Sequence, residues 1–258
     1  MGDQGPTSTA GPRDDIQTEA ERLAAAAVRA GLGLRLMGGL AIWLASPSAR
    51  RPPYERPYRD IDFAAASRDQ RTITPFLVEQ GYVPERLFNA LHGAQRLNFA
   101  HPDGRWTIDV VIDELAMSHR LDLRGRLDAS GPTLDLADLL LTKLQVFEIN
   151  RKDLGDIACL LADHRLADGP VADAIDRQRV LAVTSADWGW CHTLERNLAR
   201  VEEQARAEPP TGAPLDAAGQ AASLLGAIRA APKSLGWRAR ARLGERVRWY
   251  ETPEEVRH

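Results

Sequence analysis

Apolar spacing divides the chain into an early part that mixes two periodicities and a later part that keeps only one. Ile16 to Ala30 is alanine-rich, helical in spacing and closed by Gly31, and Leu34 to Met37 is a short apolar run of strand length. Gly38-Gly39 separates that run from a helix over Leu40 to Ala45, and a loop with four prolines follows from Ser46 to Pro57. Asp60 to Ala65 then alternates as a strand, with Ile61 and Phe63 facing one way and Asp60 and Asp62 the other. A helix over Gln70 to Gln80 stops at Gly81, and Tyr82 to Arg86 is a candidate strand. Gln95 to Ala100 and Trp106 to Ile112 read as a hairpin, because Pro102 and Asp103-Gly104 supply turn chemistry between two alternating runs. Within the second run Trp106, Ile108, Val110 and Ile112 share a face, and Thr107, Asp109, Val111 and Asp113 share the other, with Asp113 at the strand end suited to a turn or cap.

After Leu115 the period-two signal fades. Leu136 to Ile149 reads as a helix with Asp135 as N-cap, and Lys152 to His164 as a second, joined to it by a tight turn at Asn150. Val171 to Val183 and Asp187 to Arg206 are expected to be helical. Glu208 to Pro214 is a break rich in proline, and a last helical stretch from Asp216 is interrupted by Pro232 and Gly236. The pattern predicts an α+β (α/β) chain in which a mixed sheet of few strands, flanked by helices, precedes a helical domain. The expected divisions are a disordered tail over 1–14, a sheet-bearing domain over 15–118, a helical domain over 119–206, and a linker with a basic helical segment over 207–258.

Composition narrows this little. The chain has 258 residues, of which 44% are hydrophobic, enough for one large domain or two small ones, and a net charge of −3 names no partner. Its two cysteines, Cys159 and Cys191, lie in helical stretches without metal-ligand spacing, which fits a reduced cytoplasmic setting rather than a disulfide framework. No apolar run reaches spanning length, so no membrane is expected as a partner, and the Gly-, Pro-, Ser- and Thr-rich start lacks the apolar segment of a signal peptide. The histidines, His92, His101 and His119 among them, show no zinc spacing.

The candidate chemistry lies in the acids. Asp60 and Asp62 project side by side, an arrangement that becomes favourable when a divalent cation screens their repulsion. If the Trp106 to Ile112 strand lies beside them, Asp109 joins the pair. Carboxylates are hard ligands suited to Mg²⁺, with Mn²⁺ as an alternative, and rigid strands can fix the positions that a pair of ions ~4 Å apart requires. Asp109 is the candidate acceptor for the proton of an attacking hydroxyl. The Gly38-Gly39 turn brings backbone N–H groups and a helix N-terminus, which suit phosphate. Metal and phosphate together indicate phosphoryl or nucleotidyl transfer.

These residues resemble the DNA polymerase β-like nucleotidyltransferase superfamily: a glycine pair after a strand, Gly38-Gly39; an acid-x-acid strand, Asp60-Ile61-Asp62; and a third acid on a later strand, Asp109. The resemblance covers roughly residues 30 to 165. Lys143 followed by Arg151-Lys152-Asp153-Leu154-Gly155-Asp156 is similar to the helical signature of the branch that contains abortive-infection type IV toxins. The wording around Gly38 and Asp60 is also similar to aminoglycoside and lincosamide nucleotidyltransferases. Many members carry Gly-Ser at the turn; Gly39 here leaves backbone donors alone. The resemblance implies a nucleotidyltransferase-type fold, catalytic Asp60, Asp62, Asp109 and Lys143, and two Mg²⁺ ions on the three aspartates. It further implies an NTP held near Gly38, Gly39, Arg59, Lys143, Asp153 and Asp156. The toxin branch implies an RNA acceptor and an antitoxin partner; the aminoglycoside type implies a small hydroxylated acceptor. A non-catalytic nucleotide- or RNA-binding regulator on the same fold is the alternative from another class.

Several residues keep two readings at this level. Lys143 sits beside the apolar stripe of its helix, where it either snorkels to solvent or points its ammonium into a cleft. Asp153 and Asp156, in a first helical turn, either favour the helix dipole, or orient Lys143 or position the acceptor. Arg50, Arg51, Arg56 and Arg59 are either a solvated loop or a grip on phosphate. Arg229, Lys233, Arg238, Arg240, Arg242, Arg246 and Arg248, opposed only by Glu245 and bracketed by Trp237 and Trp249, form a basic segment. It suits RNA, an anionic membrane or an exposed helix face.

Overall fold

The computed structural model describes residues 15–128 and 131–252; the expected tail over 1–14 lies outside them. Helix α1 (Ile16–Arg29), capped by Asp15, leads into β1 (Leu34–Met37) and α2 (Gly38–Ala45). Strand β2 (Asp60–Ala65), α3 (Gln70–Glu79), β3 (Val83–Pro84), α4 (Arg86–His92), β4 (Arg96–Ala100) and β5 (Thr107–Ile112) follow. The five strands form one mixed sheet in the order β1-β2-β5-β4-β3. β2 runs parallel to β5 and antiparallel to β1; β4 pairs antiparallel with both β5 and β3. The expected hairpin, and the placement of its second strand beside Asp60 and Asp62, are therefore present.

Strand alternation makes the two faces of this sheet chemically unlike. One face carries Leu36, Phe63, Val110 and Leu97 in a single row, with Ile61, Ile108 and Phe99 in the next, each at most 5% exposed. Burial of such side chains contributes roughly 1.5–3 kcal/mol each, so a one-residue slip in register would expose the apolar set and is strongly disfavoured. The opposite face carries the acids.

A small hairpin, β6 (Glu114–Ala116) with β7 (Arg120–Asp122), connects the sheet to α5 (Leu136–Leu144) and α6 (Arg151–Asp163). Beyond these lie β8 (Arg165–Ala167), β9 (Ala174–Asp176), α7 (Arg177–Ala186), α8 (Trp188–Ala207), α9 (Ala217–Ala230) and α10 (Leu235–Ala241). The buried apolar cluster runs without interruption from Ile16 to Ile228. The proline-rich loop also bridges sheet and helices: Ser48 donates from N and Oγ to Asp163 Oδ2 (2.9 and 2.7 Å), and Tyr54 Oη donates to Glu208 O (2.6 Å). Among the described residues no helix is long and apolar enough to cross a membrane.

Three local expectations fail for stated reasons. The helix expected to reach Ile149 ends at Leu144, because Asn197 Nδ2 takes the carbonyls of Leu144 and Val146 (2.8 Å each) and Phe147 N turns to Ser118 Oγ (3.0 Å). The helix expected from Val171 begins at Arg177: Ala174–Asp176 pairs in parallel with β8, and Asp176 caps α7 through Gln178 N (2.9 Å). The candidate strand over Tyr82 to Arg86 is reduced to Val83–Pro84, because Tyr82 N closes the end of α3 on Leu77 O (3.0 Å) and Glu85 O accepts the first α4 bond from Asn89 N (2.8 Å).

Candidate active site

The polar face of the sheet is built in rows. Met37, Asp62, Asp109 and Asn98 are successive register partners across β1, β2, β5 and β4. Asp60, paired with Thr107, stands one row toward the start of β2 and is exposed. Asp60, Asp62 and Asp109 thus share one face, which is the geometry on which the sequence argument depended. Ile108 and Val110, flanking Asp109, are fully buried on the other side.

This crowding changes the chemistry of the central acid. Burial, then the neighbouring charges of Asp60 and Asp109, push the Asp62 carboxyl from 3.8 up to about 7; Lys143 and Arg96 pull the other way. A carboxylate so disfavoured among its own kind is a place where added positive charge is strongly stabilising.

Gly38 closes the site from the side of β1. It has φ +68°, and a Cβ there would overlap Asp62 Oδ2 and lie 3.1 Å from its Cγ. Only glycine serves both the backbone conformation and the approach to the carboxylate. Gly39 meets a different neighbour: a Cβ would lie 2.6 Å from Arg56 Nη2 and 2.9 Å from Tyr58 Cε1. Gly38→Ala should therefore cost at least the 1–2 kcal/mol of a left-handed residue, and displace Asp62 besides. Urea unfolding together with turnover measures both effects, and a variant as stable and active as the parent would contradict this placement.

The far wall comes from α5 and α6. Lys143 Nζ reaches Asp153 Oδ1 at 2.7 Å and Asp156 Oδ2 at 3.0 Å, with its side chain 15% exposed. Lys143 therefore neither snorkels freely nor stands alone, and Asp153 and Asp156 orient it. Burial opposes its charge, but the two carboxylates outweigh burial and hold its pKa above the usual lysine value. Asn150 fixes Asp153 in turn, donating from Nδ2 to Asp153 Oδ2 at 2.9 Å and accepting from its backbone N at 3.0 Å. Asp156 also takes both contacts from Arg56 Nη2 (2.8 and 3.0 Å), and the Arg56 guanidinium lies over the Tyr58 ring at 4.4 Å. The result is a chain of alternating charge, Arg56-Asp156-Lys143-Asp153, beside the glycine turn.

The four loop arginines separate, and Arg51 lies against Gly212. Arg50 is spent on the carbonyls of Trp43 and Leu44 at the end of α2 (2.9 Å each), and Arg56 on Asp156. Arg59, next to Asp60, is exposed and makes no side-chain hydrogen bond among the described residues.

Two residues escaped the sequence argument. Arg96 grips Asp109 with a bidentate fork, Nε to Oδ1 at 2.7 Å and Nη2 to Oδ2 at 2.6 Å. It is a diagonal cross-strand neighbour of Asp109, since Asn98 pairs with Asp109 and Arg96 is two residues away on the same face. Asn98 is buried directly opposite Asp109. Alternation within β4 already places both on the polar face; the missing piece was the register.

A hard divalent ion fits this site in the kind of donor offered, carboxylate oxygens crowded until one resists ionisation. It does not fit a finished cage. Among the described residues no group of three or more His, Cys, Asp or Glu side chains is arranged to hold a metal ion, and Arg96 engages both oxygens of Asp109. Asp60 and Asp62 are the residues that would hold the ion as the side chains stand. Comparison with protein-family profiles and with curated protein sequences gives no match to this chain.

Proposed function

We propose that this protein is a Mg²⁺-dependent nucleotidyltransferase that moves a nucleoside monophosphate from an NTP to a hydroxyl acceptor, with RNA as the favoured acceptor. The observation that carries the reading is the shared face of Asp60, Asp62 and Asp109 against the Gly38 turn. Lys143, held across from them by Asp153 and Asp156, supports it.

In the reaction, the acceptor oxygen bonds to the α-phosphorus, the bond from that phosphorus to the bridging oxygen of the β-phosphate breaks, and pyrophosphate leaves with the bonding pair. Mg²⁺, which Asp60 and Asp62 would hold, would supply charge to neutralise the triphosphate and acidify the attacking hydroxyl. Asp60 and Asp62 would hold the ion, so Asp109, on the same face, keeps the role of acceptor for the hydroxyl proton. Arg96 holds both oxygens of Asp109 and must release one for that step. Gly38 and Gly39 let the triphosphate approach the backbone. Lys143 and Arg59 offer positive charge to it, and Asn98 can donate from its amide.

One observation favours a second reading. An acid occupied on both oxygens by an arginine is tolerable in a non-catalytic nucleotide- or RNA-binding regulator. Arg96→Gln separates the two. In an enzyme, freeing both oxygens of Asp109 is expected to change the rate of transfer, whereas a regulator has no transfer to change. An unchanged rate would remove Arg96 from the site. The direct test of function is incubation with each α-³²P-labelled NTP, Mg²⁺ and total RNA, then small metabolites. Label in RNA supports the toxin-like reading; label in a small molecule supports the aminoglycoside-type alternative; label in neither sinks the enzyme. An antitoxin partner is part of the proposal only in the first case.

A further inference from the structure

A second concavity lies away from the acid row, between the β6–β7 turn, the α7–α8 junction and the C-terminal segment. Its volume is about 640 Å³. Its cationic lining is Arg120, Arg240 and Arg248; its aromatic lining includes Trp190, Trp249 and Tyr250. Two acids are also present, and both are engaged: Asp187 caps α8 through Trp190 N (2.9 Å), and Glu251 stands 3.5 Å from Arg120.

We propose that this cleft, with the arginine-rich ridge beside it, binds a single-stranded segment of RNA. The proposal deepens the transferase reading by saying how a macromolecular acceptor is held, and rests on it for that purpose; the binding itself requires no catalysis.

The floor of the cleft is rigid. Tyr250 stacks on Phe147 with ring centres 3.7 Å apart, Trp249 stands edge-on to Trp188, and Glu251 N donates to Ser118 O at 2.9 Å. Trp249 Nε1 also reaches Thr193 Oγ1 at 3.3 Å. These contacts fasten residues 249–251 against the β6–β7 turn, the α5–α6 connection and α8. Phe147 belongs to the short connection that has Lys143 before it and Asp153 after it, so the cleft floor is tied directly to the far wall of the acid site.

The ridge is chemically unspent. Arg238, Arg242 and Arg246 are exposed and make no side-chain hydrogen bond or ion pair among the described residues. By contrast Arg240 gives its fork to Gly244 O and Val247 O (2.8 and 2.6 Å) and shapes the segment. Arg238 and Arg242, one turn apart on the exposed face of α10 and its C-cap, and Arg246 beyond them offer unpaired guanidiniums to the phosphates of a strand that leaves the cleft, and a cleft of this size is far larger than one phosphate requires but suits a nucleotide. An anionic membrane is the weaker occupant. A membrane-surface helix needs a long apolar face, whereas α10 has seven residues and the aromatic rings here line a concavity.

The test uses the full chain and a fluorescein-labelled single-stranded RNA of about 12 nucleotides, followed by anisotropy at several salt concentrations. Wild type should bind, and binding should weaken steeply as salt rises. Arg238→Ser/Arg242→Ser/Arg246→Ser, which touches no folded contact, should weaken binding about tenfold or more and flatten the salt dependence. Phe147→Ala, which removes the support of Tyr250, should weaken it with less change in salt dependence. RNA affinity unchanged in the triple variant, or no RNA binding at all, overturns the proposal, as does sedimentation with anionic vesicles in place of RNA binding. RNA binding without any nucleotide transfer would leave the cleft assigned and sink the transferase alone. Transfer to a small molecule with no RNA binding would do the reverse.

Discussion

Asp62→Asn should abolish nucleotide transfer and, in the absence of divalent ions, make the protein more stable at pH 8. The two effects have one cause. Burial beside Asp60 and Asp109 raises the folded-state pKa of Asp62 from 3.8 to about 7. A carboxyl raised in this way binds its proton more tightly in the folded chain than in the unfolded one. The folded state is therefore favoured at low pH, loses stability as pH rises from 3.8 to about 7, and gains nothing further above that. At about 1.4 kcal/mol per unit, reduced for partial solvent access, the loss is on the order of 3 kcal/mol. Asparagine removes it. Mg²⁺ should raise the thermal midpoint of the parent at pH 8 and leave that of the variant unchanged, because the ion relieves a repulsion that asparagine no longer has. Loss of turnover should exceed about a thousandfold, the scale expected when a group acting at the reacting atoms is removed. A variant that is less stable than the parent at pH 8 would show that Asp62 is a structural acid.

Lys143→Met is the second large effect, and it should lower stability and turnover together. Lys143 is the shared partner of Asp153 and Asp156, whose side chains are 16% and 6% exposed. Removing one partner of a buried pair costs about 3–5 kcal/mol; retention of Arg56 on Asp156 and of Asn150 on Asp153 places the expected loss near the lower end, about 3 kcal/mol. The double variant Lys143→Met/Asp153→Asn separates structure from chemistry. It removes the stranded charge along with the lysine and should recover part of the stability. Turnover should not recover, because the positive charge opposite Asp62 is still missing. Recovery of both in the double variant would make Lys143 a scaffold residue only. Urea unfolding and steady-state kinetics on the three proteins decide the matter.

The local chemistry of the sheet was largely legible in the chain. Period two in Asp60 to Ala65 and in Trp106 to Ile112 assigned the faces, and the Pro102 to Gly104 turn assigned the hairpin. The parallel pairing of β2 with β5 rested on no local signal, since the strands are far apart in sequence and joined through α3, β3, α4 and β4. Arg96 was hidden for the same reason: its carboxylate partner is fixed by cross-strand register rather than by spacing. The three-residue strands β6, β7, β8 and β9 are too short to establish a period against helical surroundings. The end of α5 was invisible because Asn197, over fifty residues later, terminates it. Lys143 illustrates the limit from the other side. Helical spacing put it beside the apolar stripe and put Asp153 and Asp156 on one face, but only the turn at Asn150 brings the two helices together so that the three meet.

The most direct test of the central claim compares two labels. The full chain is incubated with Mg²⁺, an RNA or metabolite acceptor pool, and NTP labelled with ³²P at either the α or the γ position. Transfer of a nucleoside monophosphate predicts an acceptor labelled from the α position and pyrophosphate labelled from the γ position, with both lost in Asp62→Asn. Acceptor labelled from the γ position, or none labelled from either, would contradict it.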